Sequence, residues 1–157
     1  MRPQTTALID QAAAADTETC AIMAGLARLE ETTVRRVTPG PVSRAIVARI
    51  SARALTGQLT LCPDLSLDAP QPAFWCAWAP GRLRCATCAD KAGRRIHGTA
   101  EDRRCDHCRK IGPSIHRDAV GLPSVVIDFP DRARCAPPFI ALFGLCPACQ
   151  RADKAAQ

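Results

Sequence analysis

Residues 139–155 read FIALFGLCPACQRADKA, and this stretch decides the architecture. Phe139 to Phe143 is bulky, apolar and short, as a buried strand requires. Gly144-Leu145 leads into Cys146-Pro147-Ala148-Cys149, with Pro147 in the first turn of a helix expected to run to about Ala155. Two cysteines at a helix start sit beside free backbone N–H groups and the positive end of the helix dipole, which favours thiolate over thiol. A strand that delivers Cys-x-x-Cys into a helix is half of a closed zinc site, because structural Zn²⁺ takes four such ligands in a tetrahedron.

Two further Cys-x-x-Cys pairs lie upstream, Cys85/Cys88 and Cys105/Cys108. Cys105-Asp106-His107-Cys108 reads as a tight knuckle. Residues 125–129 and 139–143 read as strands of one hairpin with a long connection. Knuckle, hairpin, helix start is the treble-clef order, and it assigns Cys105, Cys108, Cys146 and Cys149 to one Zn²⁺. The order also occurs earlier. Cys62-Pro63-Asp64 stands where the knuckle should, residues 74–78 and 82–84 turn about Pro80-Gly81, and Cys85-Ala86-Thr87-Cys88 opens a short helix to Ile96. Cys62, Cys85 and Cys88 are then ligands of a second ion, with the fourth open between Asp64 and Cys76. The competing partition joins Cys85/Cys88 to Cys105/Cys108 across 16 residues, as in a zinc ribbon. The treble-clef partition is favoured because each pair gains a structural context. His97, His107 and His116 read as surface residues, and Cys20 and Cys135 as packed or free thiols.

Composition explains why metal is needed. Aromatic residues make up only 4% of the chain, and alanine inflates its 47% hydrophobic content. Large side chains for a core are scarce, so a staple is expected. Disulfides are the alternative use of ten cysteines. The N-terminus has no apolar segment suited to export, and no long apolar run suggests a membrane span. A cytoplasmic chain keeps its thiols reduced, and the pairs then read as zinc ligands. Formal charge is +6, falling to about +3 once seven cysteines ionise onto two Zn²⁺.

The fold class expected is a small metal-stabilised α+β protein. Residues 1–57 form a helical region and residues 58–157 a zinc-binding region, with clefs at about 60–98 and 102–157. Residues 1–16 read as a frayed lead. Ile22, Leu26, Leu29 and Val37 mark one helix, with Asp16 as its N-cap. Thr38-Pro39-Gly40-Pro41 breaks it. Val42, Ile46, Ile50 and Ala54 mark a second helix that ends at Gly57. The two are expected to form a helical hairpin. Trp75 and Trp78 are expected on one strand face, as core or as a stacking platform.

Three segments together resemble a known group. They are Phe74-Trp75-Cys76-Ala77-Trp78 through Cys85, Gly98-Thr99-Ala100 through Cys108, and Leu142-Phe143-Gly144-Leu145 through Cys149. The combination is similar to small zinc-finger proteins of actinobacteria and their phages, over about residues 60–152. The resemblance implies bound zinc and that host lineage; it implies no activity. Such proteins carry a histidine two positions after the first cysteine, where this chain has Asp64.

No His-Glu-x-x-His, phosphate-cradling loop or serine elbow is present in the sequence, so a non-enzymatic role is expected. An HNH-like nuclease is the least favoured reading, resting on Asp106-His107 alone. The leading reading is DNA or RNA binding through Arg82, Arg84, Arg94, Arg95, Arg103, Arg104 and Arg109, provided that Glu101, Asp102, Asp106 and Asp118 do not interleave with them. The alternative is a protein–protein adaptor with an exposed apolar stripe on residues 17–56.

Overall fold

The computed structural model describes residues 3–29, 33–35, 40–66, 70–128 and 133–155. The chain begins with α1 (Pro3–Leu29), β1 (Thr33–Arg35) and α2 (Pro41–Leu55). β2 (Thr60–Leu61), β3 (Ala73–Cys76), β4 (Arg82–Arg84) and α3 (Ala86–Ile96) follow. β5 (His116–Leu122), β6 (Val125–Asp128), β7 (Ala133–Ala136), β8 (Phe139–Leu145) and α4 (Pro147–Lys154) complete it. The protein is small and α+β, as its sequence suggests.

β8 organises the rest. It pairs antiparallel with β5, setting Leu142 opposite Ala119, and parallel with β3, setting Ala141 beside Trp75. The sheet order is β1-β5-β8-β3-β4-β2, so one sheet carries strands from both cysteine-rich segments. Strand side chains alternate between faces. Ile140 and Leu142 join Met23 of α1 and Ala89 of α3 in one apolar cluster. Ala141, Phe143 and Leu145 join Val42, Ile46 and Ile50 of α2 in the other, together with Cys149 of α4. Each large side chain fully buried this way is worth about 1.5–3 kcal/mol.

The expected helical hairpin does not form. α1 and α2 bury their apolar residues against opposite faces of the sheet. A helical stripe demands an apolar partner but does not name it. The stripe of α2 is therefore covered, with Val42, Ile46 and Ile50 at 6%, 0% and 1% exposure. On α1 Met23 is buried, and Ile22 and Leu26 pack around the same cluster. Among the described residues, the apolar stripe expected of an adaptor packs against the core.

α1 starts near the N-terminus, not at Thr17. Its buried face carries Thr5, Ala12, Ala15, Thr19 and Met23. Before Met23 that face is made of small residues, so no hydrophobic stripe marks the helix ahead of Thr17. Asp16 is not an N-cap but lies in mid-helix, where its carboxylate accepts Ser124 N–H at 2.8 Å and Ser124 Oγ–H at 2.7 Å. Val37, Thr38, Pro39 and Phe129 lie outside the described residues.

The strands at 125 and 139 do not pair with each other. β6 pairs with β7 as a separate ribbon, while β8 pairs with β5 and β3. Trp75 and Trp78 also part: β3 ends at Cys76, Trp75 enters the α2-side cluster, and Trp78 packs against the α1-side cluster.

One polar contact locks α2 to α4. Asp153 is fully buried and accepts Ser43 N–H at 2.9 Å and Ser43 Oγ–H at 2.6 Å. It satisfies an orphan donor in the first turn of α2, a task its own N-cap, Gly40, cannot perform. Gly40 is needed for close approach, since a Cβ there would collide with Asp153.

Candidate metal centres and the basic cavity

Cys85 and Cys146 occupy equivalent places. Each is the N-cap of the helix that follows, with φ/ψ of −67°/166° and −68°/159°. β4 delivers the first and β8 the second. Cys88 and Cys149 follow within the first turn of α3 and α4.

The second centre gathers Cys105, Cys108, Cys146 and Cys149, whose sulfurs lie within 4.8 Å of one another. Cys108 Sγ and Cys146 Sγ are 3.8 Å apart. A Zn–S bond of about 2.3 Å gives a tetrahedral edge of about 3.8 Å, so the spacing fits a shared ion and is far too long for a disulfide. The knuckle closes through Cys105 N–H to Lys110 O at 2.8 Å and Arg109 N–H to Cys105 O at 2.9 Å. Arg109 takes a left-handed φ of 66° to make that turn. Asp106 docks the knuckle on β8: its N–H meets Gly144 O at 2.8 Å and its carboxylate accepts Gly144 N–H at 2.6 Å. Arg49 of α2 adds a bond to Asp106 O at 3.0 Å. Burial raises the Asp106 carboxyl, against the pull of Gly144 N–H and nearby arginines. Asp106 is therefore a docking residue, and the Asp106-His107 pair offers no arrangement of a base and an orienting partner.

The first centre gathers Cys62, Asp64, Cys85 and Cys88 within the same 4.8 Å. Asp64 Oδ2 lies 3.7 Å from Cys85 Sγ and 3.8 Å from Cys88 Sγ, close to the edge expected of mixed oxygen and sulfur ligands. Cys85 N–H points at Cys62 Sγ at 3.2 Å. Cys76, the rival fourth ligand, is fully buried on the other face of the sheet. Burial pushes its thiol up to about 11, as befits an inert packed cysteine. The ribbon partition is likewise not what the chain adopts: Cys85/Cys88 and Cys105/Cys108 enter different groups.

Each centre has one cysteine whose ionisation is favoured and one whose ionisation is opposed. Burial works against ionisation of Cys62, but the backbone N–H groups of Cys85 and Asp64 outweigh it and lower its pKa. The Cys149 backbone N–H brings Cys146 down to about 7. Cys149 is raised by burial and by the thiols around it, and Cys88 by its neighbour Cys85. Crowded thiolates repel one another, and a divalent cation removes that cost. Both donor sets therefore fit a metal ion.

The arginines split into two populations. Arg104 pairs with Glu101 at 3.0 Å, Arg109 with Asp106 at 3.8 Å, and Arg94 with Asp90 at 2.7 Å. Asp102 holds Arg117 and accepts Gly98 N–H, and these contacts keep its carboxyl below the usual range, Gly98 first. Arg103 is exposed nearby. Acidic residues thus interleave with the arginines around the second centre and with Arg94 on α3, so the condition set for one seven-arginine surface is not met. Arg82, Arg84 and Arg95 instead meet in a cavity of about 410 Å³ beside Cys62 and Cys88, with no carboxylate on its wall. Lys91 joins them. The sequence reading omitted it, although Cys88, Lys91 and Arg95 recur at helical spacing on one face of α3.

No helix among the described residues is long and apolar enough to cross a membrane. Compared with known proteins, the chain matches no family model, no curated protein and no solved structure.

Proposed function

We propose that both centres hold structural Zn²⁺ in treble-clef-like frames, and that this non-enzymatic, cytoplasmic protein binds nucleic acid through the basic cavity beside the first centre. The carrying observation is the carboxylate-free cluster of Arg82, Arg84, Lys91 and Arg95. The paired arginines around the second centre are left out of the interface. Zn²⁺ with three thiolates and a carboxylate carries about −2, so the four cations do more than balance the centre. The surplus suits about two phosphates. Binding to single strands should then follow salt with a log–log slope of about −1.4, or about sevenfold weaker from roughly 50 to 200 mM.

The test is a titration of labelled DNA and RNA at two salt concentrations with the wild type and Arg82→Glu/Arg95→Glu. Salt-sensitive binding lost in the variant supports this function. No binding at low salt overturns it.

A further inference from the structure

The basic cavity has a shape as well as a charge. We propose that it receives one unstacked nucleotide, so that the protein prefers single-stranded ends or loops over duplex. This rests on the nucleic-acid reading above. Three observations carry it.

A volume of about 410 Å³ lies within the range of small-ligand clefts, about 300–1,000 Å³. It is a concavity for a single residue of a strand; a duplex would offer it phosphates alone. Next, the cations sit on two adjoining walls, Arg82 and Arg84 on β4 and Lys91 and Arg95 on α3. Arg84 is held in place, donating from Nη1 to Ala79 O and Arg82 O, both at 2.8 Å. Lys91 and Arg95 are exposed and can close on a phosphate.

Third, the wall includes an aromatic. Trp78 lines this cavity, and Arg117 covers its ring at 5.1 Å from a neighbouring cavity that Arg117 also lines. The buried indole N–H of Trp78 finds no acceptor among the described residues. An aromatic wall beside clustered cations is the arrangement that holds splayed-out bases, since every base has a π-face.

The experiment uses the zinc-loaded full chain. A thymidine octamer and a duplex of matched length are titrated at low salt while tryptophan emission is followed. Trp75 is 4% exposed, so the responsive fluorophore is Trp78. The single strand should bind about tenfold tighter than duplex and quench the emission. Trp78→Leu should lose about tenfold in single-strand affinity, and Trp78→Phe less. Circular dichroism and metal content check that both variants fold. Lys91→Ala/Arg95→Ala, at exposed positions, should weaken binding with the fold intact.

Equal affinity for duplex and single strand, with emission unchanged and Arg95 still required, overturns the nucleotide pocket and leaves the nucleic-acid function standing. Inorganic phosphate competing as well as the octamer reduces the cavity to a bare anion site and also overturns it. A folded Trp78→Leu protein with undiminished preference for single strands does the same. Failure to bind any nucleic acid removes both readings.

Discussion

The two candidate metal centres share a frame and border the same core cluster, but differ in one donor and in the charges beside them. Both place a cysteine as the N-cap of a helix delivered by a strand. The second has four sulfur donors, with Cys105 at 0% and Cys149 at 9% exposure, and Asp106 tied into β8 beside them. The first substitutes the exposed Asp64 carboxylate for one thiolate and stands at the edge of a cationic cavity. Since both sets carry about the same charge when zinc is bound, the ligands alone do not make one end basic. Neighbouring residues do: Glu101 and Asp106 neutralise arginines at the second centre, and nothing comparable lines the cavity at the first. The second centre thus stands among paired charges and the first, among the described residues, beside unpaired cations on the cavity wall.

The sharpest way to break this contrast is to remove a ligand from the second centre and exchange one at the first. Metal ligation in small zinc sites is worth about 10–16 kcal/mol at neutral pH, against a net domain stability of about 5–15 kcal/mol. Cys105→Ser should abolish cooperative melting of the sheet, because Cys105 lies in the core cluster with Phe143 and Leu145. Cys135→Ser, in the β6–β7 ribbon, should cost far less; matching melting curves would contradict the ligand assignment. A chromophoric chelator should draw zinc out in two steps, the Asp64-containing centre first. Asp64→Cys should merge the steps, and single-step release from the wild type would erase the distinction.

Next in size is the clamp between α2 and α4, which supports the second centre through its helix. Asp153→Ala removes a cap and leaves Ser43 donors buried, and should lower stability by about 2 kcal/mol in thermal melts while zinc stays at two equivalents. Loss of zinc there would show that the clamp holds the ligands, not only the helices.

On protein that circular dichroism shows to stay folded once metal is stripped, alkylation against pH separates the ligand Cys146 from the packed Cys76. Cys146 is lowered from 9.0 to about 7, so its thiolate fraction and alkylation rate should rise as pH climbs through about 7. Cys76, raised to about 11 and buried, should stay unreactive across that window. Mass spectrometry of iodoacetamide-treated protein reads both, and early modification of Cys76 would remove the contrast.

The smallest effect expected concerns the knuckle. Arg109→Gly relieves a left-handed residue with a side chain and should gain about 1 kcal/mol, a rise in Tm of about 2–4 °C. An unchanged or lower Tm would mean that the Arg109–Asp106 pair outweighs the strain.

By itself the sequence determined the local chemistry. Cys-x-x-Cys at a helix start is a matter of a few bonds, so the starts of α3 and α4, the turn at Pro80-Gly81 and the extent of α2 could be read from neighbouring residues. Tertiary structure decided what distance in the chain conceals. The parallel pairing of β3 with β8, the reassignment of β8 from β6 to β5, and the separation of α1 from α2 depend on which apolar faces meet, and many partners satisfy one stripe. β5 could not be seen because Asp118 and Gly121 weaken its strand signal, and α1 hid its length behind a face of alanines and threonines. The same physics governs the charge: a run of arginines reads alike in sequence, and only the folded chain decides which of them meet a carboxylate.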